Sequence, residues 1–342
     1  MSDLLDIVPA ATFSTVVGVL HGMFEGAGNT DWSKPRLMGV LGYAFSFEMR
    51  KGGGVVWQES NLDWGAVFHV FPELGVRIRR YEVKHREEPG DSTALKTEAW
   101  DAVRASIDRG IRAAAWNPMS LRQKEAGLRA FAWGLLVGYN ESEGTYSVRH
   151  RAVPETFTVP FDAIGHTDGV EWFCVLVYDG PASGDDRGAH ITALRNAVAF
   201  AHGTRFDSLD PKDLNYPVDA LGFAALELWR AGIEDDEASP EASQYNAGAL
   251  RSARGYAAGY LRELVDVLPK AASDLEAAAT HYDRVVDTSD ALHGLCGRAK
   301  EQGEFSEDTR TKAVGLVAAA LQADRDAIAS IEGALAMLGT SH

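Results

Sequence analysis

Residues 170–188 read VEWFCVLVYDGPASGDDRG, and the change of character within this stretch decides the fold. The first part is a continuous apolar run holding Trp172, Phe173 and Cys174, with the length and aromatic content of a central β-strand. The second part gathers Pro, Gly, Ser and paired Asp, residue types that punctuate a chain. Before this point helical and strand periods alternate; after it the strand period disappears. The expected architecture is α+β: a mixed domain with an antiparallel sheet over 1–184, then an all-α helical bundle over 185–342.

Towards the N-terminus, residues 12–26 place Val16, Val19, Leu20 and Met23 at helical spacing, with Thr12 or Ser14 as N-cap and glycines as the stop. A second helix is expected over 64–74, then a strand in VRIRRYEV from residue 76. Residues 96–109 put Ala99, Val103 and Ile107 on one helical face, and 111–116 is short enough for a buried strand. Residues 131–139 read as a further strand that turns at 140–144 into its hairpin partner TYSVRHRAV.

Towards the C-terminus three stripes stand out. Leu250, Ala253, Ala257, Tyr260, Leu261, Leu264 and Leu268 form one, and Leu275, Ala278, Tyr282, Val285 and Leu292 another. The last, from Val314 to Leu338, is close to a heptad and is interrupted by the polar Asp324. Short connections such as Leu268-Pro269 predict antiparallel neighbours in a bundle of four or five helices. The final stripe fits a seam within the bundle better than it fits a surface through which the helical domain forms a homo-oligomer.

Lys and Arg number 33 against 49 Asp and Glu, a formal charge of −16, so nucleic acid and anionic membrane are not expected as partners. The second half carries most of the acidity, with 26 acidic and 15 basic residues against 23 and 18 in the first. Two cysteines, Cys174 and Cys296, suit a reducing compartment without disulfides. The opening MSDLLDIVPAA lacks the basic and apolar regions of a secretory signal, and no run of 18 apolar residues predicts a membrane span. A soluble cytoplasmic protein is expected.

Few residues advertise chemistry. His21 and Glu25 share a helical face at i, i+4, but no third ligand accompanies them, so no metal is expected. His150 lies between Arg149 and Arg151 on a strand, where alternation gives it the opposite face from both; it is the preferred titratable site residue. Gly52-Gly53-Gly54 lacks the context of a phosphate loop and reads as a flexible loop, with 50–60 a candidate lid carrying Trp57 and Glu59. Seven of the eight tryptophans precede residue 184, which suits a dense core or an aromatic-lined pocket. Trp116, followed by Asn117 and Pro118, and Trp133, on the strand with Tyr139, are the exceptions expected to line such a pocket.

The helix at 12–26, the stretch RLMGVLGYAF at 36–45, the Ala99-Trp100 helix ending IDRG at 107–110, the strand LLVGYN at 135–140 and the acidic helical tail together resemble the butirosin-type aminoglycoside acyltransferase-like family. That family is a branch of the papain-like and C39 peptidase-like fold with a helical C-terminal extension. The resemblance implies a Cys at the start of the first helix, a His opening the strand that ends Val-Gly-Tyr, and an Asp or Asn on the next strand, which serve as nucleophile, base and orienter. In this chain those places fall on Thr12-Phe13-Ser14, on Ala132 or Trp133, and near His150. All three are changed.

Two functions follow. One is a small-molecule-binding protein whose papain-like cleft has lost the Cys-His-Asp machinery, with Thr12, Tyr43, Trp57, Glu59, Trp116, Asn117, Trp133 and Tyr139 as ligand-binding residues. The other is an acyltransferase or amide hydrolase acting on a small metabolite, with Ser14 as nucleophile or polar anchor and His150 as base. Neither needs a cofactor, and the partner in both is a small molecule.

Overall fold

The computed structural model describes residues 2–3, 14–29, 31–52, 54–55, 64–84, 92–119, 132–151, 153–165, 172–205 and 218–339. The chain forms two compact units, Met1–Lys34 with Leu74–Gly184, and Pro35–Glu73 with Asp185–His342. The change at 184 falls on the Pro-Gly-Asp punctuation. Pro35–Glu73, expected in the first domain, packs instead with the helices.

Among the described residues, the first unit is a sheet with a helix on each face. Its strands are β1 (Ser2–Asp3), β4 (Val76–Lys84), β5 (Ala113–Trp116), β6 (Trp133–Asn140), β7 (Thr145–His150), β8 (Val153–Pro160) and β9 (Trp172–Pro181). The order is β4-β9-β5-β6-β7-β8, every described pairing is antiparallel, and β1 adds to β6. The apolar run at 170–178 thus becomes β9, between β4 and β5, as a strand buried on both faces should. At the edge lies β8, whose Pro154 and Pro160 suit a strand that need not donate along its outer side.

Alternation sorts the two faces. Ala113, Ala115, Leu136, Val148 and Val175 share a buried cluster with Ala99, Val103 and Ile107 of α4 (Thr93–Asp108). The alternate residues, Trp116, Leu135 and Leu176 among them, take the other face. There α1 (Thr15–Gly26) meets β5 and β6, and Phe24 sets its ring edge-on to Tyr178 at 6.5 Å.

The second unit opens with α2 (Lys34–Val40), a small sheet ordered β10-β2-β3, and α3 (Trp64–Glu73). Here β2 is Glu48–Arg50, β3 is Gly54–Val55 and β10 is Ala220–Leu221. Five helices follow: α5 (Asp186–Ala201), α6 (Gly222–Glu234), α7 (Pro240–Val267), α8 (Ala272–Gln302) and α9 (Glu307–Gly339). Close approach explains why 35–73 belongs here. A Cβ on Gly39 would stand 2.2 Å from the Tyr260 ring, and one on Gly259 3.1 Å from Pro35, so glycines on α2 and α7 let the two backbones close. Phe45 packs on Tyr260 and Tyr282, and Phe47 on Trp229.

Capping follows the sequence. Ser239 accepts from the Ala242 amide ahead of Pro240 at the start of α7, and Asp185 accepts from Gly188 at the start of α5. The first two apolar stripes are buried throughout, and Val317, Leu321, Ile328, Ile331 and Leu338 of the third are buried within the chain. Asp324, the polar interruption, is buried too and receives Arg254 of α7. Among the described residues, no helix is long and apolar enough to cross a membrane.

Candidate functional site

Where α1 begins, it is tied to the start of β6. Ser14 is the N-cap by backbone geometry (φ −96°, ψ 110°) and fully buried, but its hydroxyl does not accept the capping bond. The next residue makes the tie: Thr15 Oγ1 accepts from the Trp133 amide at 3.1 Å. Ser14 thus holds the N-cap position read from the sequence, without the side-chain capping bond. Thr12 lies outside the described residues.

Three tryptophans converge beside this tie. Trp116 and Trp133 are cross-strand partners on β5 and β6, with ring centroids 5.7 Å apart, and Trp172 of β9 lies 5.4 Å from the first and 5.7 Å from the second. Their tilted and edge-on arrangements set positive ring edges against negative faces, the favourable geometry for aromatic pairs. Trp133 is wholly buried and Trp116 keeps part of its surface in solvent. Trp172 Nε1 donates to Glu82 Oε1 at 2.7 Å, whereas Trp116 Nε1 is buried and finds no acceptor among the described residues.

Asn117 follows directly. Its φ is +44°, a left-handed conformation that Asn tolerates better than most residues but that Gly adopts more cheaply. Its amide donates to the Ala132 carbonyl at 2.9 Å, while its Oδ1 is buried and has no donor among the described residues. Each such orphan costs roughly 1–3 kcal/mol and the backbone about 1 kcal/mol more, so consecutive residues carry three uncompensated costs.

His150 sits at the same end of the sheet but on its other face. Leu135 pairs with Arg149 and Leu136 with Val148, which sets His150 opposite Gly134, one residue out of phase with Trp133. The space above Gly134 confirms it: a Cβ there would meet Pro118 Cγ at 2.7 Å and His150 Cδ2 at 3.2 Å. The imidazole is buried, and its Nε2 lies 3.3 Å from the Ala132 carbonyl, an acceptor that fixes Nε2 as the protonated nitrogen. Burial pushes the His150 pKa below the ordinary histidine value; the Ala132 bond opposes this and Arg151 adds to it. Both burial and Arg151 thus favour the uncharged ring. The sheet thus separates the two groups proposed for acyl chemistry, with the α1 start on the Trp133 face and His150 on the Gly134 face.

The remaining expected residues scatter. Tyr139 lies six residues along β6 from Trp133, roughly 20 Å away at the rise of a strand. There its hydroxyl donates to Asp108 at 2.8 Å and Arg104 stacks over its ring, so it belongs to a surface cluster with Trp100. Tyr43 is buried in the second unit. Trp57 and Glu59 lie outside the described residues, and what is described of the expected lid is the β2–β3 pairing in that same unit. His21 Nδ1 stands 4.0 Å from Glu25, and no third metal ligand joins them among the described residues.

Sequence reasoning missed Thr15, which ties α1 to β6, Trp172, which completes the aromatic cluster, and a polar chain in the second unit that is buried at Tyr260 and His190. In that chain Tyr260 donates to His190 Nδ1 at 2.8 Å, His190 Nε2 faces Asp186 at 3.3 Å, and Arg36 bonds the same carboxylate at 2.5 Å. The signal was present: Asp186 and His190 share the i, i+4 spacing noticed at His21 and Glu25. No protein-family model matches the chain, and no curated protein matches it.

Proposed function

We propose that the protein binds a small molecule at the tryptophan end of the first unit's sheet, in a papain-like cleft that has lost its Cys-His-Asp machinery. The carrying observation is the cluster of Trp116, Trp133 and Trp172, in which Trp116 keeps a partly exposed ring and an unused indole N–H. An aromatic wall with few convergent polar groups is the common composition of a small-molecule site. The papain-like relation is supported by the Thr15–Trp133 bond, because the resemblance sets nucleophile and base at the start of α1 and at the start of β6, the segments joined by that bond. Binding is favoured over acyl transfer or amide hydrolysis because His150 is hydrogen-bonded to backbone and lies on the other face of the sheet from Trp133.

The test is a small-molecule screen read by thermal melting and tryptophan fluorescence, run on the full chain and on Trp116→Leu. Ligands that raise the melting temperature and quench the fluorescence of the parent, and do neither in the variant, support the reading. Ester or amide turnover that disappears in His150→Ala would overturn it in favour of acyl chemistry.

A further inference from the structure

We infer that the ligand is a neutral molecule presenting an amide-type edge, a carbonyl beside an N–H as in a carboxamide, lactam or ureide, to Trp116 and Asn117. The inference rests on the binding reading above. An indole N–H can only donate, and an Asn Oδ1 can only accept. Trp116 Nε1 and Asn117 Oδ1 are buried, on adjacent residues, and without partners among the described residues. One ligand edge satisfies both only if it brings an acceptor to the first and a donor to the second. A carboxylate sets oxygen against oxygen at Asn117, and an ammonium sets donor against donor at Trp116.

Two further observations point the same way. Glu82, which accepts from the neighbouring Trp172 indole at 2.7 Å and pairs with Arg80 at 3.0 Å, sets a carboxylate beside the cluster, which disfavours an anionic ligand there. The left-handed φ of Asn117 is a conformation that Gly would hold at less cost, and what Asn adds there is its side-chain amide.

Benzamide, benzoate and benzylammonium share one ring and differ only at the polar edge. In fluorescence titrations of the full chain, benzamide should bind about tenfold tighter than either charged analogue, the discrimination expected when a buried hydrogen-bonding group is left unmet. Asn117→Gly keeps the turn and removes the acceptor, so the advantage should shrink to about twofold or less. Asn117→Asp keeps an acceptor and should retain the preference for benzamide over benzoate. Benzoate binding as tightly as benzamide in the parent chain overturns the ligand class while leaving binding itself intact. An advantage that persists in Asn117→Gly overturns the assignment to Asn117. Failure of all three probes in a chain that gives hits in the wider screen also overturns the amide inference, whereas a screen without hits removes the binding reading beneath it.

Discussion

The molecule buries polar groups in two ways. In the second unit, Arg254 and Asp324 are both about 2% exposed, and the guanidinium gives Nε to Oδ1 at 2.6 Å, Nη2 to Oδ2 at 3.2 Å and Nη1 to the Ala44 carbonyl at 2.9 Å, with the Tyr282 ring 5.6 Å away. In the first unit, Trp116 Nε1 and Asn117 Oδ1 are buried with no such matching among the described residues. Charge explains the contrast. Leaving a buried charge unpaired costs about 3–5 kcal/mol, whereas a neutral orphan costs roughly 1–3 kcal/mol, an amount a fold can sustain when a ligand returns it. The buried Arg254–Asp324 pair is therefore structural, whereas neutral groups go unpaired among the described residues of both units, at Ser289 Oγ as at Trp116 and Asn117; what sets the last two apart is that they are adjacent and border the tryptophan cluster.

The harshest way to break that contrast is to remove one member of the pair. Asp324→Ala leaves Arg254 charged and buried and should lower unfolding free energy by about 4 kcal/mol in urea denaturation of the full chain. Replacing both residues together, Arg254→Met with Asp324→Leu, should recover most of that loss, since two apolar side chains leave no charge to desolvate. A loss below about 1 kcal/mol for the single variant would mean that water reaches the pair.

Acid should loosen the second unit next. Burial lowers the His190 pKa from 6.5 to about 4; the nearby Asp186 opposes the shift and Arg36 adds to it. Between those values the unfolded chain holds a proton that the folded chain refuses, so stability is complete above pH 6.5 and falls as the pH drops towards 4. The whole difference is about 3 kcal/mol. The geometry gives the reason: Nδ1 accepts the Tyr260 hydroxyl, and a proton placed there leaves that hydroxyl without its acceptor. Urea midpoints measured from pH 7 to pH 4.5 should fall steeply in the parent and less steeply in His190→Gln; parallel slopes would remove His190 as the cause.

Much of this was legible in the sequence, and the remainder was hidden for identifiable reasons. The helical stripes, the strand at 170–178 and the hairpin of β6 with β7 could be read because each depends on local period. Asp324 was visible as an interruption, but its partner lies 70 residues away in sequence. Pro35–Glu73 could not be assigned to the helical unit from composition, because what joins it there is the missing Cβ of Gly39 under the Tyr260 ring. Pro154 and Pro160 disguised β8, and only its edge position makes them tolerable. At the site, Trp116, Asn117 and Trp133 were read from their place at strand ends. Alternation opposed His150 to Arg149, as the register has it, but Arg151 falls in the turn beyond the strand; nor could alternation say which face carries α1, and Tyr139 was misplaced because one strand was taken to have one end.

The smallest expected effect has the opposite sign and separates the two kinds of burial most cleanly. Asn117→Gly removes an acceptor that has no donor among the described residues and relaxes a left-handed backbone, while adding the conformational freedom of Gly to the unfolded chain. The first two changes favour the folded state by a few kcal/mol at most, and the last opposes it by roughly 0.5–1 kcal/mol. The variant should therefore be as stable as the parent or more stable by about 1 kcal/mol, where truncation of a paired group such as Asp324 is strongly destabilising. A loss of more than about 1 kcal/mol in urea denaturation would show that the Asn117 amide supports the fold. The residue would then join the paired class, and the contrast would rest on Trp116 alone.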